Sequence, residues 1–126
     1  FGALGPFVSV NSALEVDLIG QTNAESLGGR QVGSTGGSSD FAIGAHFDGN
    51  LSVIAVRSTT KNGASRIVPQ LAPGPVTLQR TLVQVVVSEH GSADLRGKTM
   101  RERAEALAGI AAPEHRETLL RAASVL

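Results

Sequence analysis

Two apolar runs rich in β-branched residues, at positions 51–56 and 82–87, constrain the fold of this chain most. Apolar residues are nearly continuous in both runs, which is typical of strands covered on two faces, as in a parallel sheet. Together with helical segments elsewhere, they predict an α/β fold with an open, largely parallel sheet and flanking helices. The 126 residues, of which 41% are apolar, suffice for one domain with a substantial core.

Three shorter segments are further candidate strands. Residues 7–11 and 14–19 alternate apolar and polar side chains, which is the period of a half-buried strand. Residues 66–71 are the third candidate and are followed by an Ala-Pro-Gly-Pro turn. The polar stretch 58–63 is interpreted as a surface or site loop.

The last quarter of the sequence predicts a pair of helices. Thr99 and Glu102 have the spacing of a capping box, in which each side chain accepts a hydrogen bond from the other residue's backbone N–H. Pro113 stands where a second helix would start. The predicted apolar face of the first helix, with steps of three and four residues, consists of Met100, Ala104, Leu107 and Ala111.

The glycine-rich segment 28–37 cannot form a regular element and is predicted to be a loop. It leads into three favourable N-cap residues at 38–40 and a short predicted helix at 41–47. Backbone N–H groups at Gly36 and Gly37, directly before that helix start, are suited to hold a phosphate or a developing oxyanion. A flexible connecting loop is the alternative, because the spacing matches neither the Rossmann nor the Walker pattern.

The segment Ser88-Glu89-His90-Gly91 directly follows the strongest predicted strand. A carboxylate at the carboxyl end of a buried strand can line the cleft of an open α/β sheet, and burial there would raise the pKa of Glu89. The alternative is an exposed loop acid beside His90. The pattern alone leaves both interpretations open.

Charge and composition exclude several classes of function. Eleven Lys and Arg residues balance eleven Asp and Glu residues, so the basic excess that drives phosphate-backbone binding is absent and a nucleic-acid partner is not expected. The chain has no cysteine, which excludes disulfides, thiolate zinc sites and a cysteine nucleophile. The histidines His46, His90 and His115 are too scattered to suggest a metal site.

Neither a membrane segment nor a nucleotide-binding loop is predicted. Charged residues interrupt the apolar stretches, so none approaches the ~20 residues that span a bilayer. The sequence shows no secretory leader, and the cytoplasm is the expected location. Gly97-Lys98-Thr99 resembles the end of a P-loop, but that motif needs a glycine at position 92, where Ser92 stands. Lys98 is therefore interpreted as a solvated charge and Thr99 as a helix cap.

Five sequence blocks, taken together, carry a family resemblance. In chain order they are 11–18 (Asn-Ser-Ala-Leu-Glu-Val-Asp-Leu), 36–41 (Gly-Gly-Ser-Ser-Asp-Phe), 58–61 with 65–69 (Ser-Thr-Thr-Lys and Ser-Arg-Ile-Val-Pro), 87–91 (Val-Ser-Glu-His-Gly) and 93–98 (Ala-Asp-Leu-Arg-Gly-Lys). The sequence resembles the C-terminal domain of the acetyl-CoA hydrolase and transferase family, which includes class I 4-hydroxybutyrate and succinyl-CoA:acetate CoA-transferases. The resemblance implies a NagB/RpiA/CoA-transferase-like fold.

The resemblance also implies an activity, the transfer of CoA between short-chain carboxylic acids. In that reaction a glutamate attacks an acyl-CoA thioester, forms an acyl-glutamyl anhydride and becomes a glutamyl-CoA thioester, from which a second acid takes the CoA. By motif match, Gly37 is implied as the oxyanion donor and Glu89 as an active-site carboxylate that is not the nucleophile. The CoA contacts implied by the same match are Lys61, Gly33, Gly36 and, more weakly, Leu14.

One departure from the family pattern shapes these expectations. The family nucleophile lies in an upstream His-Thr/Ser-Glu-Met segment, which residues 1–126 lack. We therefore expect the C-terminal domain of a two-domain enzyme, inactive alone, with its N-terminal half, acyl-CoA, a short-chain carboxylate and further copies of itself as partners. CoA is expected as a substrate, with no permanently bound cofactor and no metal. The alternatives are an acyl-CoA hydrolase and a non-catalytic CoA-binding or interaction domain.

Overall fold

A computed structural model describes residues 7–27, 30–31, 42–43, 45 and 50–126. Two helices, α1 (Met100–Gly109) and α2 (Pro113–Ala123), lie last in the chain, and a 3₁₀ turn occurs at Arg80–Leu82. The strands of the described part, in chain order, are β1 (Val8–Ser12), β2 (Glu15–Asp17), β3 (Thr22–Asn23), β4 (Ser26–Leu27), β5 (Arg30–Gln31), β6 (Leu51–Ala55), β7 (Ile67–Val68), β8 (Val85–Ser88) and β9 (Gly91–Asp94).

The main sheet has the strand order β1-β6-β8-β9. β1 pairs parallel with β6 and β6 pairs parallel with β8, whereas β9 returns antiparallel along β8. The predicted α/β fold with an open, largely parallel sheet and flanking helices is therefore confirmed. β2 lies in a smaller sheet between the antiparallel β3 and the parallel β7, and β4 pairs with β5.

Several strands are shorter than the apolar patterns predict. β2 and β7 occupy only parts of the predicted strands 14–19 and 66–71, and β8 begins at Val85 instead of position 82. Just before β8, the Gln84 side chain accepts the backbone N–H of Ser52 on β6 at 2.7 Å. A side chain thus replaces the backbone ladder at this point, while Val83 stays buried outside the strand.

The helices cover one face of the main sheet. The capping box is confirmed, because Thr99 Oγ1 accepts the Glu102 N–H at 3.2 Å and Glu102 Oε1 accepts the Thr99 N–H at 2.9 Å. The predicted apolar face is wrong for Met100, which is the first residue of α1 and is 42% exposed. The shared core of sheet and helices includes Ile54, Val86, Ala93, Ala104, Leu107, Ala111 and Leu119.

The segment after the glycine-rich loop is described only in part. Residues 42, 43 and 45 are helical, as predicted, and Ala42 and Ala45 are buried. The predicted loop positions Gly33, Gly36 and Gly37 lie outside the described residues. Within the described ranges, no helix combines the length and the apolar character needed to cross a membrane.

Candidate active site

A cleft of about 610 Å³ lies at the carboxyl ends of the parallel strands β1, β6 and β8. In open α/β sheets, ligands bind beyond these strand ends. Here the chain passes from the main sheet into the smaller one: the Ala13 N–H donates to Ala55 O at 2.9 Å, and the next N–H, of Leu14, donates to Asn23 O at 2.8 Å. The lining of the cleft includes Leu14, Lys61 and Glu89, three residues implied by the family resemblance.

Glu89 occupies the two-residue turn between β8 and β9, in which Ser88 pairs with Gly91. Ser88 Oγ fixes this turn, because it donates to Ile110 O at 2.6 Å and accepts the His90 N–H at 3.0 Å. Glu89 Oε1 accepts the backbone N–H of the buried Ser58 at 2.8 Å. The carboxylate is therefore held beside the cleft by the loop that follows β6.

The hydrogen bond from Ser58 lowers the pKa of Glu89 below its ordinary value and outweighs the opposing effect of desolvation. Of the two interpretations that the sequence left open, a rise in this pKa on burial is not seen, because Glu89 is an exposed residue and the N–H donor stabilises its charged form. Glu89 is thus both a cleft residue and an exposed turn acid. It is ionised at neutral pH.

Lys61 stands in a tight turn at the surface. The Gly63 N–H donates to Thr60 O at 3.0 Å, which closes the turn around the lysine. His115 Nε2 lies 2.7 Å from Gly63 O, so the turn is also tied to α2. Lys61 is exposed and lines the cleft, a position from which its ammonium group can reach an anionic ligand.

Arg66 is a cleft residue that the sequence analysis missed. Its Nη1 donates to Leu14 O at 3.3 Å, and its backbone N–H donates to Ser58 O at 2.8 Å. Its Nε is buried and has no hydrogen-bond partner in the part of the chain that the structure describes. Arg66 thus joins the segment of Leu14 to the loop that holds Glu89. It belongs to the block 65–69, but the pattern there indicated only a strand.

Two further sequence predictions concern Lys98 and Thr99, which do not line this cleft. Lys98 is exposed and Thr99 caps α1, in agreement with their structural interpretation. No group of three His, Cys, Asp or Glu side chains suited to a metal ion occurs among the residues described. The roles implied for Gly33, Gly36 and Gly37 fall outside those residues and stay predictions.

Positive charge predominates in the cleft. Arg57, Lys61 and Arg66 line it, against the carboxylate of Glu89, although the chain as a whole has a net charge of zero. Apolar residues at the ends of β6 and β8 also line this cleft. A ligand with an apolar part and several negative charges is complementary to this lining.

The sequence of this chain also matches a known protein family. The sequence profile of the acetyl-CoA hydrolase/transferase C-terminal domain matches residues 5–123. The chain belongs to this family. The resemblance seen in the five sequence blocks is therefore confirmed.

Curated relatives of the acetyl-CoA hydrolase/transferase family include CoA-transferases. The 4-hydroxybutyrate coenzyme A transferase of Clostridium kluyveri is 47% identical over 116 residues, which cover 90% of this chain and 27% of that protein. The succinyl-CoA:cyclohexane-1-carboxylate CoA transferase of Geobacter metallireducens is 50% identical over 119 residues, which cover 92% of this chain and 27% of that protein. Other relatives are acetyl-CoA hydrolases.

A solved family structure has the same fold. The crystal structure of a 4-hydroxybutyrate CoA-transferase from Porphyromonas gingivalis matches with a TM-score of 0.72 and 43% sequence identity, and the match covers 90% of this chain and 25% of that one. The present chain therefore spans about a quarter of the length of these relatives.

Proposed function

We propose that this chain is the C-terminal domain of an acyl-CoA:carboxylate CoA-transferase whose nucleophilic glutamate lies elsewhere in a longer polypeptide. The observation that carries the proposal is the convergence of Leu14, Lys61 and Glu89 on one electropositive cleft at the ends of the parallel strands. Membership of the acetyl-CoA hydrolase/transferase family supports the class of reaction.

The proposed reaction moves CoA without any redox step. The nucleophilic carboxylate attacks the acyl-CoA carbonyl, the CoA thiolate leaves, and an acyl-glutamyl anhydride forms. The thiolate then attacks the glutamyl carbonyl, which releases the first carboxylate and leaves a glutamyl-CoA thioester. The acceptor acid attacks that thioester and reverses the sequence, so that it leaves as the new acyl-CoA and the glutamate is regenerated.

The cleft residues have distinct roles in this proposal. Lys61 pairs with negative charge on CoA, and Leu14 supplies apolar contact beside it. Gly33 and Gly36 contact CoA through the glycine-rich segment, and the Gly37 N–H stabilises the tetrahedral oxyanion. Losing one such donor typically costs about 2.7 to 4 kcal/mol of transition-state stabilisation.

Glu89 acts as a fixed anion that is not acylated. Its lowered pKa keeps it ionised at neutral pH, so it holds no proton to give to a leaving group. Its Oε1 is already engaged by the Ser58 N–H, which holds the carboxylate in place. In this position Glu89 orients donors around the thioester, while the nucleophile is a different glutamate.

The deciding experiment uses the full-length enzyme and acetyl-CoA without an acceptor acid. Peptide mass spectrometry should find CoA attached to a glutamate outside residues 1–126, and addition of a short-chain carboxylate should release it as a new acyl-CoA. A CoA adduct on Glu89, or on any glutamate of this chain, would contradict the proposal.

The same experiment separates the alternatives. A hydrolase consumes acetyl-CoA and accumulates free CoA when no acceptor acid is present, because water takes the place of that acid. A non-catalytic CoA-binding domain retains CoA reversibly and turns over neither substrate. A transferase instead requires the second acid for continued turnover.

We also propose that the enzyme is a cytoplasmic homo-oligomer, on the basis of the family resemblance. Native mass measurement of the full-length protein gives the number of copies, and cell fractionation gives the compartment. A monomer in the first measurement, or a membrane-bound pool in the second, would contradict the respective part of this proposal.

A further inference from the structure

The loop that carries Lys61 projects from the domain surface. A β-bridge pairs Thr59 with Ser65, so the two arms of the loop hold each other. We call residues 58–66 the Lys61 loop and residues 61–64 its tip. All four tip residues are exposed. Packing against the body of the domain therefore does not fix the position of the tip.

Hydrogen bonds inside the Lys61 loop fix its shape but not its place on the domain. The Thr60 N–H donates to Ala64 O at 2.8 Å, and the Gly63 N–H donates to Thr60 O at 3.0 Å. Thr60 Oγ1 also accepts the Ala64 N–H at 3.2 Å. Each of these bonds joins two residues of the same loop, so they leave the tip free to move as a unit relative to the cleft.

His115 connects the tip to the rest of the domain. Its Nε2 lies 2.7 Å from Gly63 O, although the two residues are 52 positions apart in sequence. A carbonyl oxygen only accepts hydrogen bonds, so Nε2 carries a proton and donates it. In the part of the chain that the structure describes, this hydrogen bond is the one that joins the tip to an element outside the Lys61 loop.

The helix that carries His115 is anchored in the core. Leu119 and Ala123 of α2 are buried and belong to the main hydrophobic cluster. The same cluster includes Ala13 and Val56, which line the cleft. The hydrogen bond from His115 therefore fixes the tip relative to the core on which the cleft is built.

A fixed tip favours binding through Lys61. The lysine side chain has a long, flexible stem, and ordering such a side chain and its loop opposes binding of a ligand. A loop that is already held in place loses less freedom when the ligand arrives, so the affinity is higher. The contact between His115 and Gly63 O holds the tip in this way, two residues from Lys61.

We propose that His115 is a positioning residue, which holds the Lys61 loop where the lysine ammonium group meets an anionic group of CoA. This inference rests on the proposed function, because it takes Lys61 as a CoA contact. His115 itself does not line the cleft, so it acts through the loop and not by touching the ligand.

The test is calorimetric titration of the full-length enzyme with CoA. His115→Ala should raise the Kd for CoA about threefold, the effect of losing one exposed hydrogen bond. His115→Gln should restore the wild-type Kd, because its amide nitrogen reaches the place of Nε2, whereas the shorter His115→Asn should not. Arg116→Ala is the matched control: Arg116 Nε donates to Ala111 O at 2.8 Å, so this variant disturbs the same helix without changing the contact to the loop.

A double-mutant cycle shows whether His115 acts through Lys61. In a Lys61→Ala background, His115→Ala should change the Kd by less than about 1.5-fold, because the group that it positions is gone. The kcat of CoA transfer at saturating substrate should stay at the wild-type value in His115→Ala, since loss of a contact made equally in the ground state and the transition state leaves kcat unchanged.

An unchanged Kd in His115→Ala would overturn the inference, and so would the same increase with and without Lys61. An equal increase in Arg116→Ala would also overturn it, because any damage to α2 would then suffice. The proposed function fails separately. A wild type that binds CoA with this dependence on His115 but transfers none refutes only the proposed function, and an active transferase whose Kd does not depend on His115 refutes only the positioning role.

Discussion

Replacing Gly20 by alanine should destabilise the protein by about 2–4 kcal/mol, through two separable effects. The first is conformational: Gly20 has a φ of 94°, a left-handed conformation that costs a residue with a Cβ about 1–2 kcal/mol. The second is steric, because the new Cβ would lie 3.1 Å from Arg103 Nη1 and 3.2 Å from Leu95 Cδ1. Both distances are tighter than ordinary van der Waals contact, so a neighbour has to move.

The neighbour most affected is Arg103, which joins α1 to two loops. Its Nη1 donates to Ile19 O at 3.1 Å and to Arg80 O at 3.2 Å. Arg103 is half-buried, and desolvation lowers its pKa. Weakening one charge-assisted hydrogen bond adds about 1–2 kcal/mol to the conformational cost.

Two other glycines separate the effects. Gly63 has a φ of 85°, and nothing lies within 4 Å of the Cβ position, so Gly63→Ala should show the conformational cost of about 1–2 kcal/mol alone. Gly109 is the last residue of α1, and its Cβ position is also open. Because alanine is the better helix former, Gly109→Ala should be neutral or stabilise by up to about 1 kcal/mol.

Urea unfolding of the three variants measures these differences as shifts in midpoint at constant slope. We expect Gly20→Ala to lose more stability than Gly63→Ala. Part of the excess should disappear in an Arg103→Ala background, because this change removes one of the two crowded neighbours and leaves Leu95 in place. Equal losses at Gly20 and Gly63 would refute the steric part. A neutral Gly20→Ala would refute both parts.

Three further predictions concern the cleft and the pH dependence of stability. Lys61→Ala in the full-length enzyme should raise KM for acyl-CoA about tenfold, because one exposed charge-assisted contact is lost. Lys98→Ala is the control and should leave KM unchanged. An unaltered KM in both variants would reject the contact between Lys61 and CoA. Glu89→Gln keeps an acceptor for the Ser58 N–H, so we expect it to lose less than about 1 kcal/mol of stability. We expect its kcat to be roughly a hundredfold lower, with Glu105→Gln as the control. A wild-type kcat in Glu89→Gln would exclude a role for this carboxylate in turnover. Burial raises the pKa of Asp17 above 3.8. Ionisation of Asp17 therefore destabilises the folded state at pH values above 3.8. Asp17→Asn should therefore gain stability relative to the wild type between pH 4 and 7 in urea unfolding, and a relative loss would show that the backbone N–H donors outweigh burial.

Local signals account for the elements that the sequence predicted well. The runs at 51–56 and 82–87 contain the two central parallel strands β6 and β8, because β-branched apolar residues favour strands. Thr99 and Glu102 formed their capping box because both partners lie within one helical turn. Each of these signals depends on residues close together in sequence.

Long-range contacts account for what the sequence could not predict. β8 starts at Val85 because the Gln84 side chain receives the N–H of Ser52 from another strand. Alternation in residues 7–11 correctly indicated which side chains share a face, but it could not show that the exposed face is the apolar one. β9 was missed because its segment Gly91–Asp94 has little strand propensity and pairs only through the turn at Glu89.

The candidate site likewise contains residues that the sequence indicated and one that it did not. The family resemblance implied Leu14, Lys61 and Glu89 one by one, and the structure places all three in one cleft. The role of Arg66 depends on its hydrogen bond to Leu14 O, whose donor and acceptor are far apart in sequence, so no local pattern indicates it. The sequence left the direction of the pKa shift of Glu89 open for the same reason, because the hydrogen-bond donor that lowers it belongs to Ser58.

The charges of the cleft constrain how a second carboxylate can work there. A nucleophilic glutamate needs to be ionised, yet a nearby ionised Glu89 raises its pKa by repulsion. Arg57, Lys61 and Arg66 offset that repulsion, since together they outnumber Glu89 in the lining. Glu89 is ionised at neutral pH, and the Ser58 N–H stabilises this charged form further. In the proposed reaction, therefore, the cations of this domain have two effects. They attract the anionic CoA and the carboxylate acceptor, and they offset the rise in the pKa of the nucleophilic glutamate.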